Sequence, residues 1–258
     1  MLFKKDFPYA PNGKNRPLHI YVPDLAEGER VPVMYFFDGH NLFLDEDATY
    51  GKSWGLGRFL DRWGKKMIVV GMECGHEGDE RLNEYLPYAV KRGFFSRFKG
   101  LGDETLRWIE RDIKPVIDRE LPTLPFRECT GIGGSSMGGL MALYGAVRYN
   151  GVFSKAACLS SAIGFCMPAL RRDLHLCPIS PDTRVYLSWG SREALGKADT
   201  GGTDRTSPTC RRNREVAFAL RDRGCAVRLH CQSGGEHCEA DWEKQLPLAM
   251  NFLWTSPR

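Results

Sequence analysis

Ser136 sits inside the run GIGGSSMGGL, residues 131–140. A serine hydroxyl is a poor nucleophile until a base accepts its proton, so its neighbours decide whether it does chemistry. The frame Gly134-Ser135-Ser136-Met137-Gly138 satisfies G-x-S-x-G, the turn that lifts a serine between a strand and a helix. Centring the frame on Ser135 would put Met137 where the second glycine belongs. Other uses of a glycine run fit poorly. A phosphate loop needs a lysine after its glycines, and none follows. A dinucleotide turn needs glycine at the sixth position, which is Ser136 counted from Gly131. A flexible linker would not join apolar strand and helix patterns directly.

The base is usually a histidine oriented by a carboxylate. Of the six histidines, His237 is the best placed. It lies in SGGEHCEADW, after the last strand pattern and before the last helix pattern. His230 lies within a strand pattern and reads as structural. On a strand–G-x-S-x-G–helix scaffold the acid falls between serine and histidine in chain order, whereas other triads use other orders. Glu193, in SWGSRE just beyond a strand, is the candidate, with Asp199 and Asp204 as alternatives. A tetrahedral oxyanion needs preorganised donors. The Met137 N–H, next to the nucleophile, is one. The His40 N–H in DGHNLF is the other, with Asn41 second and Asp38 bracing the turn. His230, Cys231, His237 and Cys238 lie close together as a cysteine–histidine metal site would, but their spacing matches no paired C-x-x-C zinc arrangement. No metal or cofactor is expected.

These residues require a scaffold of strands ending at one edge. Short apolar, β-branched runs recur at 18–22, 33–37, 67–72, 129–133, 156–159, 185–189 and 226–231. Several are apolar on both faces, as in a covered parallel sheet. Helix patterns fill the gaps at 54–63, 103–118, 136–149, 209–223 and 239–254. Pro115 is expected to kink or end its helix near Lys114. The irregular stretch 196–208 reads as a surface loop, with an active-site border as the sharper reading. The alternation predicts one α/β domain over residues 1–258, with a mostly parallel central sheet and helices on both faces.

Composition excludes other classes. The 258 residues are 42% hydrophobic and 26% charged, which suits a folded globular chain rather than a disordered one. The net charge of +4 is interspersed, and the cluster Arg211, Arg212, Arg214 lacks interleaved aromatics, so no nucleic-acid partner is expected. No run approaches the roughly 18 apolar residues of a membrane span. The N-terminus shows no apolar leader. The nine scattered cysteines read as reduced thiols of a cytoplasmic protein.

Five segments in order carry a family resemblance: VMYFFDGHNLF, RLNEYLPY, GIGGSSMGGLMALYGAVRYNGVFSKAACLS, VYLSWGSRE and GGEHCEADWEKQLPLAMNFLW. From about Leu18 to Trp254 the chain resembles the putative esterase family, which includes esterase D, feruloyl and acetyl xylan esterases, enterochelin-type esterases and mycolyltransferases. The resemblance implies an α/β-hydrolase fold. It also implies Ser136 as nucleophile, His237 as base, an acid at Glu193, and oxyanion donors at His40 and Met137. Arg81 and Tyr85 follow a strand end, where ligands gather in open α/β sheets, and are candidates for substrate binding; an Arg81–Glu84 pair bracing the loop is the structural reading. Trp54 is a candidate sugar-stacking platform, and His76 a surface-loop residue. The expected activity is that of a serine carboxylesterase working through an acyl enzyme, on acetylated or feruloylated carbohydrates by family analogy. A siderophore-trilactone esterase or an acyltransferase shares this chemistry. A non-catalytic binding module on a hydrolase scaffold is the reading from another class.

Overall fold

The computed structural model describes residues 1–91, 93–193 and 205–255. Its centre is one sheet of eight strands: β1 Leu2–Pro8, β2 Asn15–Tyr21, β3 Val33–Phe37, β4 Ile68–Met72, β5 Thr130–Ser135, β6 Lys155–Leu159, β7 Arg184–Gly190 and β8 Ala226–Gln232. They lie in the order β1-β2-β4-β3-β5-β6-β7-β8. β1 and β2 are antiparallel to their neighbours, and β4 through β8 run parallel. Strands β3 to β7 are buried on both faces, which is why they read as near-continuous apolar runs.

The side-chain period of two splits each central strand between two cores. Val33, Tyr35 and Phe37 face one, and Met34 and Phe36 face the other. The first core is covered by α3 Gly102–Trp108 with its continuation α4 Lys114–Glu120, α5 Met137–Arg148, α6 Met167–Leu176 and α7 Pro208–Asp222. The second is covered by α1 Leu56–Arg62 and α8 Glu239–Trp254. A short helix, α2 Glu80–Glu84, follows β4.

Two sequence expectations change. β1 was not anticipated: its residues alternate between exposed and half-buried, and Lys4 and Asp6 occupy the solvent side, as suits an edge strand. His19 therefore lies on the second strand. Pro115 does not end its helix. Ile109–Ile113 form a π turn between α3 and α4, and this widened turn accommodates the ring that would otherwise meet the Arg111 carbonyl. Among the described residues no disulfide joins any of the cysteines, and no helix is long and apolar enough to cross a membrane. Asp199, Asp204 and most of the 196–208 loop lie outside the described residues.

Candidate active site

The chain after β5 turns sharply into α5. Ser136 takes φ 56° and ψ −119°, a strained conformation for a residue with a Cβ. Its N–H donates to Leu159 O at 2.9 Å, and its carbonyl accepts from Ala162 N at 3.0 Å, which ties the turn to the end of β6. Glycine is required where strand and helix cross. A Cβ on Gly134 would stand 2.7 Å from the Gly138 backbone, and one on Gly138 would stand 2.9 Å from Phe37 Cβ. Met137 opens α5, so its N–H belongs to the first turn, whose donors have no intrahelical acceptor.

Glu193 follows the end of β7. Its Oε1 accepts from Gly190 N and from the Ser160 hydroxyl, both at 2.6 Å. Ser160 in turn accepts from Trp242 Nε1 at 2.9 Å. With one oxygen fixed, Oε2 meets His237 Nδ1 at 3.2 Å. The imidazole also lies edge-on to Trp242, with ring centroids 5.1 Å apart. The loop that carries His237 is braced by Asp241, which accepts from Glu236 N at 2.7 Å and from Gln232 Nε2 at 2.9 Å. Ser136 and His237 line one cavity of about 580 Å³. Among the described residues no hydrogen bond joins the Ser136 hydroxyl to the His237 ring; such contacts often tighten only when substrate is bound.

The third wall comes from β3. Asp38 takes φ 59° immediately after the strand, and Gly39–Asn41 form a single 3-10 turn. A Cβ on Gly39 would overlap the Gly71 backbone at 2.4 Å, so the turn packs directly on β4. The Asp38 carboxylate accepts from Arg81 Nε at 2.7 Å and from its NH2 group at 2.8 Å. Burial pushes this carboxyl up, but the Arg81 guanidinium outweighs it and leaves the group below its ordinary range. Tyr85 OH accepts the Asp38 N–H at 3.1 Å. His40 is buried, and burial lowers its imidazole, favouring the neutral ring.

The substrate-binding expectations fare differently. Arg81 lines the cavity, but its guanidinium is occupied by Asp38, and Glu84 pairs with Arg16 at 2.5 Å rather than with Arg81. Tyr85 is 2% exposed, packs on Phe37 and serves as a brace behind the turn. Trp54 is also 2% exposed, wedged between Phe36 and Trp242 in the second core. Neither ring reaches the cavity, because the apolar layers they fill need aromatic volume. The exposed ring at the rim is Tyr50, 80% accessible. His76 is half-exposed and lines the same cavity. Ser160, Asp241, Tyr50 and Glu239 were missed from sequence. Each is placed by contacts with distant segments, and none lies in a local motif.

A mostly parallel sheet with helices on both faces, a serine on the β5–α5 turn and a histidine after the last strand lining the same cavity, is the α/β-hydrolase fold. The chain belongs to the family described as Putative esterase, which it matches over residues 11–253. A Bacillus subtilis (strain 168) protein, described as uncharacterized protein YbbA, is 24% identical over 252 residues, covering 95% of this chain and 94% of its own length. An IroE-like serine hydrolase from Shewanella oneidensis has the same fold, with TM-score 0.74 and 18% identity, over 98% of this chain and 80% of that one. So does siderophore hydrolase EstA from Aspergillus nidulans, with TM-score 0.71 and 17% identity, over 97% and 94%. Family membership makes this chain an ester hydrolase acting on small-molecule esters.

Proposed function

We propose that the chain is a serine carboxylesterase that works through an acyl enzyme. The observation that carries this reading is the Glu193–His237 pair behind the cavity that Ser136 lines. In this mechanism Ser136 Oγ attacks the ester carbonyl as His237 Nε2 takes its proton. Glu193 orients the ring through Nδ1 and stabilises the imidazolium. The N–H groups of His40 and Met137 receive the oxyanion. His237 then protonates the departing alkoxide, and water, deprotonated by the same ring, releases the acid.

The substrate class in this reading is a neutral, hydroxyl-rich ester such as an acetylated or feruloylated carbohydrate. Three features support it. Side chains able to hydrogen-bond, among them Asn41, Thr49 and Glu239, line the cavity. Among the described residues Arg81 is the arginine on its wall, and Asp38 already neutralises it, which disfavours an anionic catecholate. The exposed Tyr50 ring offers a face to a sugar at the rim.

Ser136→Ala should lower hydrolysis of p-nitrophenyl acetate by a factor on the order of 10⁴ or more, with the melting temperature kept. Glu193→Gln should lower kcat by about 10³ to 10⁴. Mass spectrometry after fluorophosphonate treatment should find one adduct, on Ser136. An active Ser136→Ala enzyme, or a folded wild type that takes no label, would defeat the assignment. On a panel of sugar esters, Tyr50→Ala should raise KM while leaving p-nitrophenyl acetate kinetics unchanged. Equal effects on both substrates would remove the sugar reading and leave the esterase intact.

A further inference from the structure

Beside the proposed oxyanion turn lies a second group of side chains that the ester chemistry does not use. His40, Cys74 and His76 each offer a ligand atom, and these atoms lie within 4.8 Å of one another. All three residues line the cavity. They come from two places: the turn after β3, and the segment after β4.

The two histidines are prepared as metal ligands are. His40 is 6% exposed, and its Nε2 meets the Thr49 hydroxyl at 3.1 Å. Its Nδ1 is buried and has no hydrogen-bond partner. A buried ring nitrogen without a partner is costly unless something with an empty orbital faces it. If Nε2 carries the hydrogen toward Thr49, Nδ1 holds the lone pair. His76 shows the complementary arrangement. Its Nε2 bonds Glu73 Oε2 at 2.9 Å, which leaves Nδ1 for a cation. A carboxylate behind a histidine is the usual outer partner of a metal-bound imidazole. Glu73 is itself fixed, because its other oxygen meets His19 Nε2 at 2.6 Å. Cys74 is 2% exposed and supplies the sulfur, whose proton burial and the neighbouring Asp38 charge retain until an ion displaces it.

We propose that His40 Nδ1, Cys74 Sγ and His76 Nδ1 form a binding site for a borderline-soft divalent cation, with Zn²⁺ the best match. Two imidazoles and a thiolate favour such an ion over Mg²⁺ or Ca²⁺, which prefer oxygen ligands. Three protein ligands leave a fourth, cavity-facing position for water or a substrate oxygen. Zinc bonds of about 2.0–2.3 Å place tetrahedral ligands roughly 3.5 Å apart, so the group must contract by about 1 Å. The His76 side chain, 56% exposed, can make that movement. On coordination the Cys74 thiol gives its proton to solvent and the thiolate binds the ion.

The test needs no catalysis, so it stands apart from the esterase reading; the Ser136→Ala protein serves as well as the wild type. Equilibrium dialysis of the full chain against micromolar Zn²⁺ should find one ion per chain. Co²⁺ should give a thiolate-to-metal charge-transfer band. His76→Ala, at an exposed position, and Cys74→Ser should each weaken binding by at least about tenfold, and Glu73→Gln by about tenfold. Cys238 also lines the cavity but lies outside the ligand group, so Cys238→Ser should bind as the wild type does. Absence of a bound ion overturns the proposal. So does binding that persists in both His76→Ala and Cys74→Ser, or a Co²⁺ spectrum without the thiolate band.

Discussion

Asp38, Ser136 and Ser160 are the non-glycine residues with positive φ among the described residues. Each directly follows the last residue of a parallel strand: β3, β5 and β6. Strain of this kind costs on the order of 1–3 kcal/mol per residue and persists only where the surroundings over-determine it. Here the surroundings are the Asp38–Arg81 pair, the backbone bonds that pin Ser136 to Leu159 and Ala162, and the Ser160–Glu193 bond. A different cost falls on Glu239, buried in the first turn of α8 and lining the cavity. Burial raises its carboxyl above the ordinary 4.5, and the Asp38 charge adds to the effect. The folded state therefore holds this proton more tightly than the unfolded chain does. That contribution to stability is fully present below pH 4.5 and is lost as pH rises through the raised folded value. Glu239→Gln has no charge to bury, so it should melt higher than the wild type at neutral pH. The difference should vanish below pH 4.5, measured by calorimetry across pH. A difference that does not change with pH would show that the carboxylate is well solvated in the fold.

At the scale of elements, the β5–α5 crossing sets the position of Ser136, the proposed nucleophile. Alanine is a better helix former than glycine by about 1 kcal/mol, which on propensity alone would favour Gly138→Ala. Contact decides otherwise, because the new Cβ would stand 2.9 Å from Phe37 Cβ and 3.2 Å from Asp38 Oδ2. These atoms belong to the end of β3 and the turn that carries His40, so helix and turn must separate. Overpacking of this kind costs about 1–3 kcal/mol. On the proposed mechanism, displacing Ser136 from the proposed oxyanion donors should lower kcat by about 10²-fold. Steady-state kinetics and thermal melts on Gly138→Ala check both effects; wild-type kcat would show that the crossing has slack. Proline tells a similar story along α3 and α4. The backbone rule for Pro115 is sound, but the π turn at Ile109–Ile113 absorbs it, and packing of Ile109, Ile113 and Ile117 holds the continued helix on the sheet.

At the scale of the whole molecule, the sheet is a septum between two apolar layers. Leu143 on α5 is fully buried in one, and Leu246 on α8 is 1% exposed in the other. Truncating either to alanine should cost about 2–5 kcal/mol. Because the two side chains share no layer, the double variant should show the sum of the two costs within about 0.5 kcal/mol. Urea titration of the three variants tests this. A larger coupling would mean that the sheet passes strain from face to face. The same two-layer arrangement explains Trp54: it is a large ring required by the α1–α8 side, although its neighbours in sequence suggested a site.

The local order of the chain was legible because it rests on short-range physics. Two-sided apolar runs mark the buried parallel strands, and the glycines at 134 and 138 mark a close strand–helix crossing with Ser136 at its centre. The spacing of Glu193 and His237 after successive strands follows from the same alternation. The edge strand β1 escaped because an exposed strand carries little apolar signal. The sequence by itself thus determined the strands β2 to β8, the helices other than α2 and α6, the mostly parallel sheet and the residues worth examining. Tertiary structure alone decided which of those residues meet. Ser160 supports Glu193 across 33 residues, Trp242 reaches Ser160 across 82, and His40 lies beside Cys74 and His76. Such contacts form where strand ends converge in space, and no local pattern in the chain records that convergence.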